Sequence, residues 1–130
     1  MTALAPILTR ILVVDDEPDI RNLLRLCLTE VGKYGVDLCA SGQEALLHLQ
    51  DHHPDLILMD VMMPGLDGPG ALEALRGQGC GIPVVFLTAK VQATEVAALK
   101  ALGALGVITK PFDPMTLAAE VQALWEARHE

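Results

Sequence analysis

Aromatic residues are scarce in this sequence, making up 3% of its 130 residues against 52% for hydrophobic residues as a whole. A core built from this chain must therefore be aliphatic, made of Leu, Val, Ile, Ala and Met. The length and the apolar content are sufficient for the chain to bury a core of its own. We expect a single domain over residues 1–130, with a core from about residue 9 to 128, because no second domain fits.

Basic residues are also few. Nine Lys and Arg against 17 Asp and Glu give a net charge of −8 and an isoelectric point near 4.8. A nucleic-acid surface needs clustered Lys and Arg. The composition therefore argues against direct nucleic-acid binding and is compatible with binding a cation.

The sequence offers no pattern for disulfides, secretion or membrane insertion. Its three cysteines, Cys27, Cys39 and Cys80, are odd in number and widely spaced among apolar neighbours, so we interpret them as small buried hydrophobes. Residues 1–6 lack the basic and apolar regions of a signal peptide, and no apolar run approaches the roughly 20 residues of a membrane helix. The sequence predicts a cytoplasmic protein.

Strand-like and helix-like segments alternate along the chain. Short apolar runs predict five strands, at residues 11–14, 34–39, 56–59, 82–87 and 106–108. Apolar residues at helical spacing predict five helices, which begin near Pro18, Ser41, Pro69, Val91 and Pro114. Alternation of this kind predicts an α/β fold, a parallel sheet with helices on both faces.

Three helix starts carry capping patterns. Ser41 is followed three residues later by Glu44, which is the pattern of a capping box. Asp113 precedes a proline, which predicts an N-cap with proline at the first helical position. Asp67 is expected to shape the turn before Gly68.

Asp60 stands at the end of the most uniformly apolar run, and a loop rich in Pro and Gly follows it. The other predicted strands end in Asp15 and Asp16, in Thr88 and in Lys110. The carboxyl ends of parallel strands lie along one edge of a sheet, so we expect these residues to share a pocket. Packed carboxylates repel one another unless a cation intervenes, and Mg²⁺ takes carboxylate, carbonyl and phosphate oxygens. We expect Lys110 and Thr88 to contact phosphoryl oxygens.

These motifs, taken together, resemble those of a response-regulator receiver domain. They are Asp15-Asp16, the stretch Leu-Met-Asp-Val-Met-Met-Pro-Gly-Leu-Asp-Gly at residues 58–68, Thr88-Ala89 and Lys110-Pro111-Phe112. Each motif alone is common, but their order and their positions at the strand ends are specific, and the match runs from about residue 9 to 128. The resemblance implies a flavodoxin-like three-layer sandwich with a five-stranded parallel sheet of order 2-1-3-4-5 and five helices.

The resemblance also implies a role for each motif residue. Asp60 matches the phosphoacceptor, whose carboxylate attacks the phosphorus of a phosphohistidine on a partner kinase. Asp16 and Asp60 would bind Mg²⁺ directly, with the main-chain carbonyl of Met62 as a third protein ligand, and Asp15 would hold a coordinated water. Lys110 would contact a phosphoryl oxygen, and its bond to the following proline would be cis.

A conformational switch is the further implication of the resemblance. Phosphate on the acceptor would draw the Thr88 hydroxyl inward, and in the family an aromatic side chain on the fifth strand rotates into the vacated space. The position three before Lys110 is Val107, which has no ring, so the aromatic half of this relay is missing. Met62 and Lys90 match positions that border the phosphoryl group and tune how fast water removes it.

The predicted function is therefore that of a phosphoacceptor in a two-component or phosphorelay system. Such a domain is no enzyme beyond catalysing its own phosphorylation and dephosphorylation. Its partners would be a sensor histidine kinase or phosphotransfer protein and a downstream protein target. The last helix runs to Glu130 without a linker or a basic DNA-binding segment, which favours a stand-alone receiver, although a receiver cut from a longer chain stays open.

Two alternatives stay open. A pseudo-receiver would serve as an interaction module that is never phosphorylated. The intact set of motif residues, Asp15, Asp16, Asp60, Thr88 and Lys110, argues against it, although the missing ring at Val107 keeps it open. A magnesium-dependent phosphatase with an aspartate nucleophile would use similar chemistry. Such a phosphatase usually carries two aspartates spaced by one residue after its first strand, whereas Asp15 and Asp16 are adjacent.

Overall fold

The computed structural model describes residues 6–89 and 92–128 of the protein. The strands span Arg10–Val14 (β1), Gly35–Cys39 (β2), Leu56–Asp60 (β3), Val84–Thr88 (β4) and Gly106–Thr109 (β5). The helices span Pro18–Leu26 (α1), Gly42–Asp51 (α2), Gly68–Gly77 (α3), Ala93–Ala101 (α4) and Leu117–Ala127 (α5). A π-helical segment, Cys27–Val31, continues α1 as far as the predicted stop at Gly32.

The strands form one parallel sheet in the order β2-β1-β3-β4-β5. This confirms the α/β class and the flavodoxin-like strand order. Within residues 6–89 and 92–128, no helix is both long and apolar enough to cross a membrane.

Helices cover both faces of the sheet. One face packs against buried residues of α1 and α5, such as Leu24 and Val121, and the other against those of α2, α3 and α4, such as Leu49, Leu72 and Leu99. All residues of β3 are buried, because β3 lies in the middle of the sheet between the two helical layers. Burial on both faces is the physical reason why this run is uniformly apolar in the sequence.

The predicted cap at Ser41 is present, and Asp67, which was predicted to shape the turn before Gly68, is also a helix cap. The Ser41 hydroxyl accepts the main-chain N–H of Glu44 at 3.0 Å at the start of α2. The Asp67 carboxylate accepts the main-chain N–H of Gly70 at 2.8 Å and caps α3. Each cap satisfies a helix N–H group that has no partner within its own helix.

The start of α5 differs from its prediction. The Asp113 carboxylate accepts the main-chain N–H of Met115 at 2.8 Å, and the helix begins only at Leu117. The Asp113 carbonyl accepts the N–H groups of Thr116 and Leu117, so a hydrogen-bonded turn separates the aspartate from the helix. Proline at position 114 is therefore in this turn and not at the first helical position.

The three cysteines are free thiols. Cys27 and Cys39 are buried, as predicted. Cys80 is half-buried, because it lies in the loop between α3 and β4.

Candidate functional site

Three carboxylates meet at the carboxyl edge of the sheet. Asp15 and Asp16 follow β1 and Asp60 ends the neighbouring strand β3. The three residues offer oxygen atoms that lie within 4.8 Å of one another. Asp15 and Asp60 are buried and Asp16 is half-buried. This is the grouping that the sequence predicted, and a set of hard oxygen donors at this spacing can hold a divalent cation.

Lys110, which follows β5, reaches into this group. Its Nζ donates to Asp15 Oδ2 at 3.2 Å and to Asp60 Oδ2 at 3.0 Å. Lys110 was predicted to share a pocket with these carboxylates and to contact a phosphoryl oxygen, but its direct hydrogen bonds to Asp15 and Asp60 were not predicted. They depend on the length of the lysine side chain, because β4 separates β5 from β3.

The β1–α1 loop fixes Asp15. Its Oδ1 accepts the main-chain N–H of Glu17 at 2.9 Å, and its main-chain carbonyl accepts Nη1 of Arg21 at 2.8 Å. Arg21 lies on α1, so its hydrogen bond to the Asp15 carbonyl ties the loop to this helix. The sequence analysis did not identify Arg21, since its role depends on a side chain that folds back along the helix.

Burial and neighbouring charge set the electrostatics of this group. Burial raises the pKa of Asp15, and the charge of Asp60 adds to the effect, while the Glu17 N–H and the Lys110 ammonium oppose it without cancelling it. For Lys110, burial disfavours the charged form, but the hydrogen bond to Asp60 and the charges of both carboxylates outweigh burial and raise its pKa. The lysine therefore stays charged between the two aspartates.

Asp60 is placed by the end of β3 and by a close approach of α3. Its Oδ1 accepts the main-chain N–H of Met62 at 3.3 Å. A Cβ atom on Gly68 would lie 2.5 Å from the Asp60 carbonyl oxygen and 2.9 Å from a ring carbon of Phe86. Glycine at position 68 is thus required for α3 to begin against the end of β3. The Met62 side chain points outward, with 66% of its surface exposed.

Thr88 ends β4, the strand beside β3. It is buried, and its main-chain carbonyl accepts the N–H of Lys110 at 2.9 Å. Its neighbour Leu87 pairs with Asp60 in the sheet register, which places Thr88 one residue beyond the level of Asp60. The predicted threonine and aspartate therefore lie at the ends of adjacent strands.

The position that carries the family's aromatic ring lies one strand further along the sheet. Val107 is half-buried on β5, and it pairs with Phe86 of β4, whose ring is fully buried on the same face. The sequence analysis did not consider Phe86. Lys90, the other predicted tuning position, lies outside the described residues.

One backbone feature at the site matches what the resemblance implied. The peptide bond between Lys110 and Pro111 is cis.

A family model described as "Response regulator receiver domain" matches residues 11–122 of this chain. The chain belongs to the receiver family of response regulators. Receiver domains are signalling domains of two-component systems, and this one carries the family's strand order and its acidic cluster.

Curated relatives and a solved structure agree with this assignment. The chain is 43% identical over 115 residues to a protein named as probable transcriptional regulator ycf27 of Cyanophora paradoxa, covering 88% of the chain and 47% of the relative. It is 42% identical over 115 residues to the alkaline phosphatase synthesis transcriptional regulatory protein PhoP of Bacillus subtilis, covering 88% of the chain and 48% of the relative. The receiver therefore spans about half the length of these relatives.

Among solved structures, the receiver resembles the chemotaxis response regulator CheY4 of Vibrio cholerae. The two share 34% identity and superpose with a TM-score of 0.83, covering 91% of this chain and 99% of the other. The family and the fold are therefore established by both sequence and structure.

Proposed function

We propose that this receiver domain accepts a phosphoryl group on Asp60 from a phosphohistidine of a histidine kinase or phosphotransfer protein. The observation that supports the proposal most directly is the pairing of Asp60 with Lys110 at 3.0 Å, beside the Asp15 and Asp16 carboxylates. A carboxylate between a cation and a cluster of metal-binding oxygens suits attack on a phosphorus atom, where charge neutralisation and positioning dominate catalysis.

The proposed transfer forms one bond and breaks one bond. A carboxylate oxygen of Asp60 attacks the phosphorus and forms an O–P bond, while the N–P bond of the phosphohistidine breaks. The bonding electron pair stays on the imidazole nitrogen, which takes a proton from solvent. Water later attacks the phosphorus, releases inorganic phosphate and restores the carboxylate. The domain thus catalyses its own phosphorylation and dephosphorylation and acts as a signalling domain.

Mg²⁺ is the cofactor that we propose, and the donor set fits it. Three carboxylates within reach of one ion offer the hard oxygen ligands that Mg²⁺ takes. Asp16 and Asp60 would hold the ion directly together with the main-chain carbonyl of Met62, and Asp15 would hold it through a water. When bound, the ion would neutralise charge on the phosphoryl oxygens. The raised pKa of Asp15 supports this proposal, because burial leaves its negative charge poorly compensated.

Lys110 and Thr88 complete the proposed site. The Lys110 ammonium would move from the carboxylates to a phosphoryl oxygen, and the Thr88 hydroxyl would donate to another. We propose this inward shift of Thr88 as the switch, without a ring rotation, since Val107 has no ring to rotate. Met62 and Lys90 would tune the access of water to the phosphoryl group.

The remaining proposals concern the chain as a whole. We propose a single receiver domain over residues 1–130, supported by the family match over residues 11–122. It would act in the cytoplasm on a downstream protein target, without direct contact between the receiver itself and nucleic acid, which the net charge of −8 supports. Transcriptional regulators among the relatives leave open a longer protein that carries further domains.

Incubation with Mg²⁺ and acetyl phosphate, followed by intact-protein mass spectrometry, tests the proposed function. We expect a labile adduct with the mass of one phosphoryl group, lost in Asp60→Asn and kept in Asp67→Asn, which retains its capping oxygen. The proposal fails if no adduct forms or if the adduct persists in Asp60→Asn. Turnover of many phosphomonoesters would instead favour the phosphatase alternative.

A further inference from the structure

A cavity lies between the β3–α3 loop, the start of α3 and helix α4. It encloses about 300 Å³. Its walls are mostly apolar. They are formed by Val61 and Met62 of the loop, by Pro69 in the first turn of α3, and by Ala98, Leu99 and Leu102 of α4 and its C-cap. Thr88 closes the inner end of the cavity.

Among residues 6–89 and 92–128, one charged side chain lines this cavity. Glu95, in the first turn of α4, has its Oε2 atom buried, and this oxygen has no hydrogen-bond partner among the described residues. A buried carboxylate oxygen without a donor is unfavourable, because it has lost water and gained nothing in exchange. The N-terminal end of α4 favours a negative charge in its first turn, but this field supplies no hydrogen bond to Oε2.

The residues that line the cavity indicate which kind of group could bind Glu95 Oε2. The missing group is a donor, and a cationic donor would also compensate the charge. It would be carried on an apolar stem, since most of the other side chains that line the cavity are aliphatic. Arginine meets both requirements, because its methylene stem packs on apolar surface and its planar guanidinium matches a carboxylate. Lysine fits less well, since its compact ammonium is more strongly hydrated.

The mouth of the cavity suits a protein partner. Met62, with 66% of its surface exposed, and Leu102, with 38%, present apolar surface next to the cavity. Met side chains adapt to the shape of what binds them. The net charge of −8 further favours approach by a basic segment. We propose that this cavity is a docking socket for an arginine side chain, presented between apolar residues by a segment of a partner protein.

The socket is also placed to respond to the state of Asp60. Thr88 lines the socket and ends the strand next to Asp60, so a shift of Thr88 changes the inner wall. Leu99 alone among residues 93–101 of α4 is buried, so few contacts oppose a movement of this helix. Binding and phosphorylation would then be linked reciprocally. This linkage, unlike the socket itself, rests on the proposed function.

The socket is tested with two peptides that differ in charge. The first is acetyl-Ala-Leu-Arg-Leu-Ala-amide, and the second carries citrulline, the neutral isostere of arginine, in its place. In NMR titrations of the unphosphorylated protein we expect saturable shifts at Ala98, Leu99 and Leu102, with the arginine peptide binding about tenfold more tightly. Glu95→Gln should remove this difference, whereas Glu73→Gln, an exposed charge on α3, should preserve it.

Equal binding of the two peptides, or a preference that survives in Glu95→Gln, would overturn the socket. Self-association of the protein that disappears in Glu95→Gln would overturn the partner protein in favour of a second copy. The same titration on acetyl phosphate-treated protein should change the peptide affinity by about fivefold or more. An unchanged affinity in a protein shown by mass to be phosphorylated overturns the linkage. Failure of phosphorylation itself counts against the proposed function, and the socket is judged by the unphosphorylated titration.

Discussion

Two sites next to the β3–α3 loop differ in whether the fold supplies a hydrogen-bond donor to a buried carboxylate oxygen. In the acidic pocket, Asp60 accepts hydrogen bonds from Lys110 and from the Met62 N–H. In the socket beside α4, Glu95 Oε2 is buried with no donor in the described parts of the chain. A buried carboxylate oxygen needs a hydrogen-bond donor in both sites, but the described residues supply one only to Asp60.

The difference shows that the fold satisfies the hydrogen bonding of the acidic pocket but not that of the socket. The acidic pocket has a fixed geometry, because Asp60 ends a strand and Asp15 and Lys110 directly follow strands. Hydrogen bonds of the sheet hold these strands in register. The socket has one wall on a helix with a single buried residue, Leu99. A rigid site suits chemistry, which needs fixed geometry, and a loosely held one suits a partner that supplies the missing contacts.

Lys110→Ala should break the acidic pocket most severely. Without the ammonium, Asp15 and Asp60 are left buried without their cationic partner, and the Mg²⁺-free protein should lose about 3 kcal/mol of unfolding free energy. Urea unfolding in EDTA measures the loss, and added Mg²⁺ should recover part of it. Lys100→Ala, an exposed lysine on α4, is the control. Equal stability of the two variants would show that the lysine does not hold the pocket together.

Gly68→Ala should disturb the packing of α3 against the end of β3, next to Asp60. The added Cβ would lie 2.5 Å from the Asp60 carbonyl oxygen, and this main-chain atom cannot move aside without shifting β3. We expect a loss of about 2 kcal/mol in urea unfolding and slower phosphorylation. Gly77→Ala, where the new Cβ would meet nothing within 4 Å, should be neutral or slightly stabilising. Similar stability of both variants would refute the close approach.

Mg²⁺ should stabilise the acidic pocket measurably. A ligand that binds only the folded state at ten times its Kd adds about 1.4 kcal/mol, which thermal unfolding detects as a raised Tm. Asp16→Asn should remove most of the increase, while Asp19→Asn, an exposed aspartate in the first turn of α1, should retain it. An increase of the same size in Asp16→Asn would place the ion elsewhere.

Asp55, at the opposite end of β3 from Asp60, is a carboxylate whose hydrogen bonds are supplied by the fold. Its Oδ2 accepts the N–H groups of Thr9 and Arg10, both at 3.0 Å, and the Thr9 hydroxyl at 2.9 Å. Burial alone would raise the pKa of Asp55, but these hydrogen bonds outweigh it and lower the pKa below its ordinary value of 3.8. The stabilisation is therefore present above the ordinary value and is lost as the pH falls through the lowered one.

Asp55→Ala should accordingly cost about 1 kcal/mol at pH 7, measured by urea unfolding. The difference from wild type should shrink as the pH falls from 3.8 through the lowered pKa, because the carboxylate takes up a proton first in the unfolded chain and only at lower pH in the folded protein. Asp51→Ala, at the exposed end of α2, serves as the control. A penalty that is independent of pH would mean that the ionised carboxylate is not what stabilises this end of the strand.

Glu95→Met should give the smallest change, and one of opposite sign. Replacing a half-buried side chain whose buried Oε2 atom has no donor by an apolar side chain removes that unsatisfied oxygen from the socket, so stability should rise by about 0.5 kcal/mol. Glu73→Met, at an exposed position on α3, should leave stability nearly unchanged. A loss of stability in Glu95→Met would show that the carboxylate already has a compensating contact in the free protein.

The parts of the fold that the sequence predicted are those whose causes are local. β3 is recognisable because both of its faces are buried, and Ser41 caps α2 through a neighbour three residues away. The grouping of Asp15, Asp16 and Asp60 follows from the parallel arrangement of their strands. These features need only periodicity, short-range hydrogen bonding and a common strand direction.

The features that escaped prediction depend on approaches between distant segments. Lys110 was predicted to share a pocket with Asp60, but its direct hydrogen bonds to Asp15 and Asp60 depend on a side chain that spans two strands of the sheet. Gly68 is required by the position of a carbonyl eight residues earlier in the chain. The late start of α5 reflects a choice between two hydrogen-bond patterns at Asp113 that are equally compatible with the sequence. The isolation of Glu95 is visible only when the surrounding side chains are in place.

Locating the phosphoryl group tests the central claim most directly. Borohydride reduces an aspartyl phosphate to homoserine, which peptide mapping assigns to one position. After treatment with Mg²⁺ and phosphoramidate, a donor with the N–P bond of phosphohistidine, we predict homoserine at position 60 and unmodified aspartate at positions 15 and 16. Reduction at position 15 or 16, or unmodified aspartate at all three positions, would contradict the account.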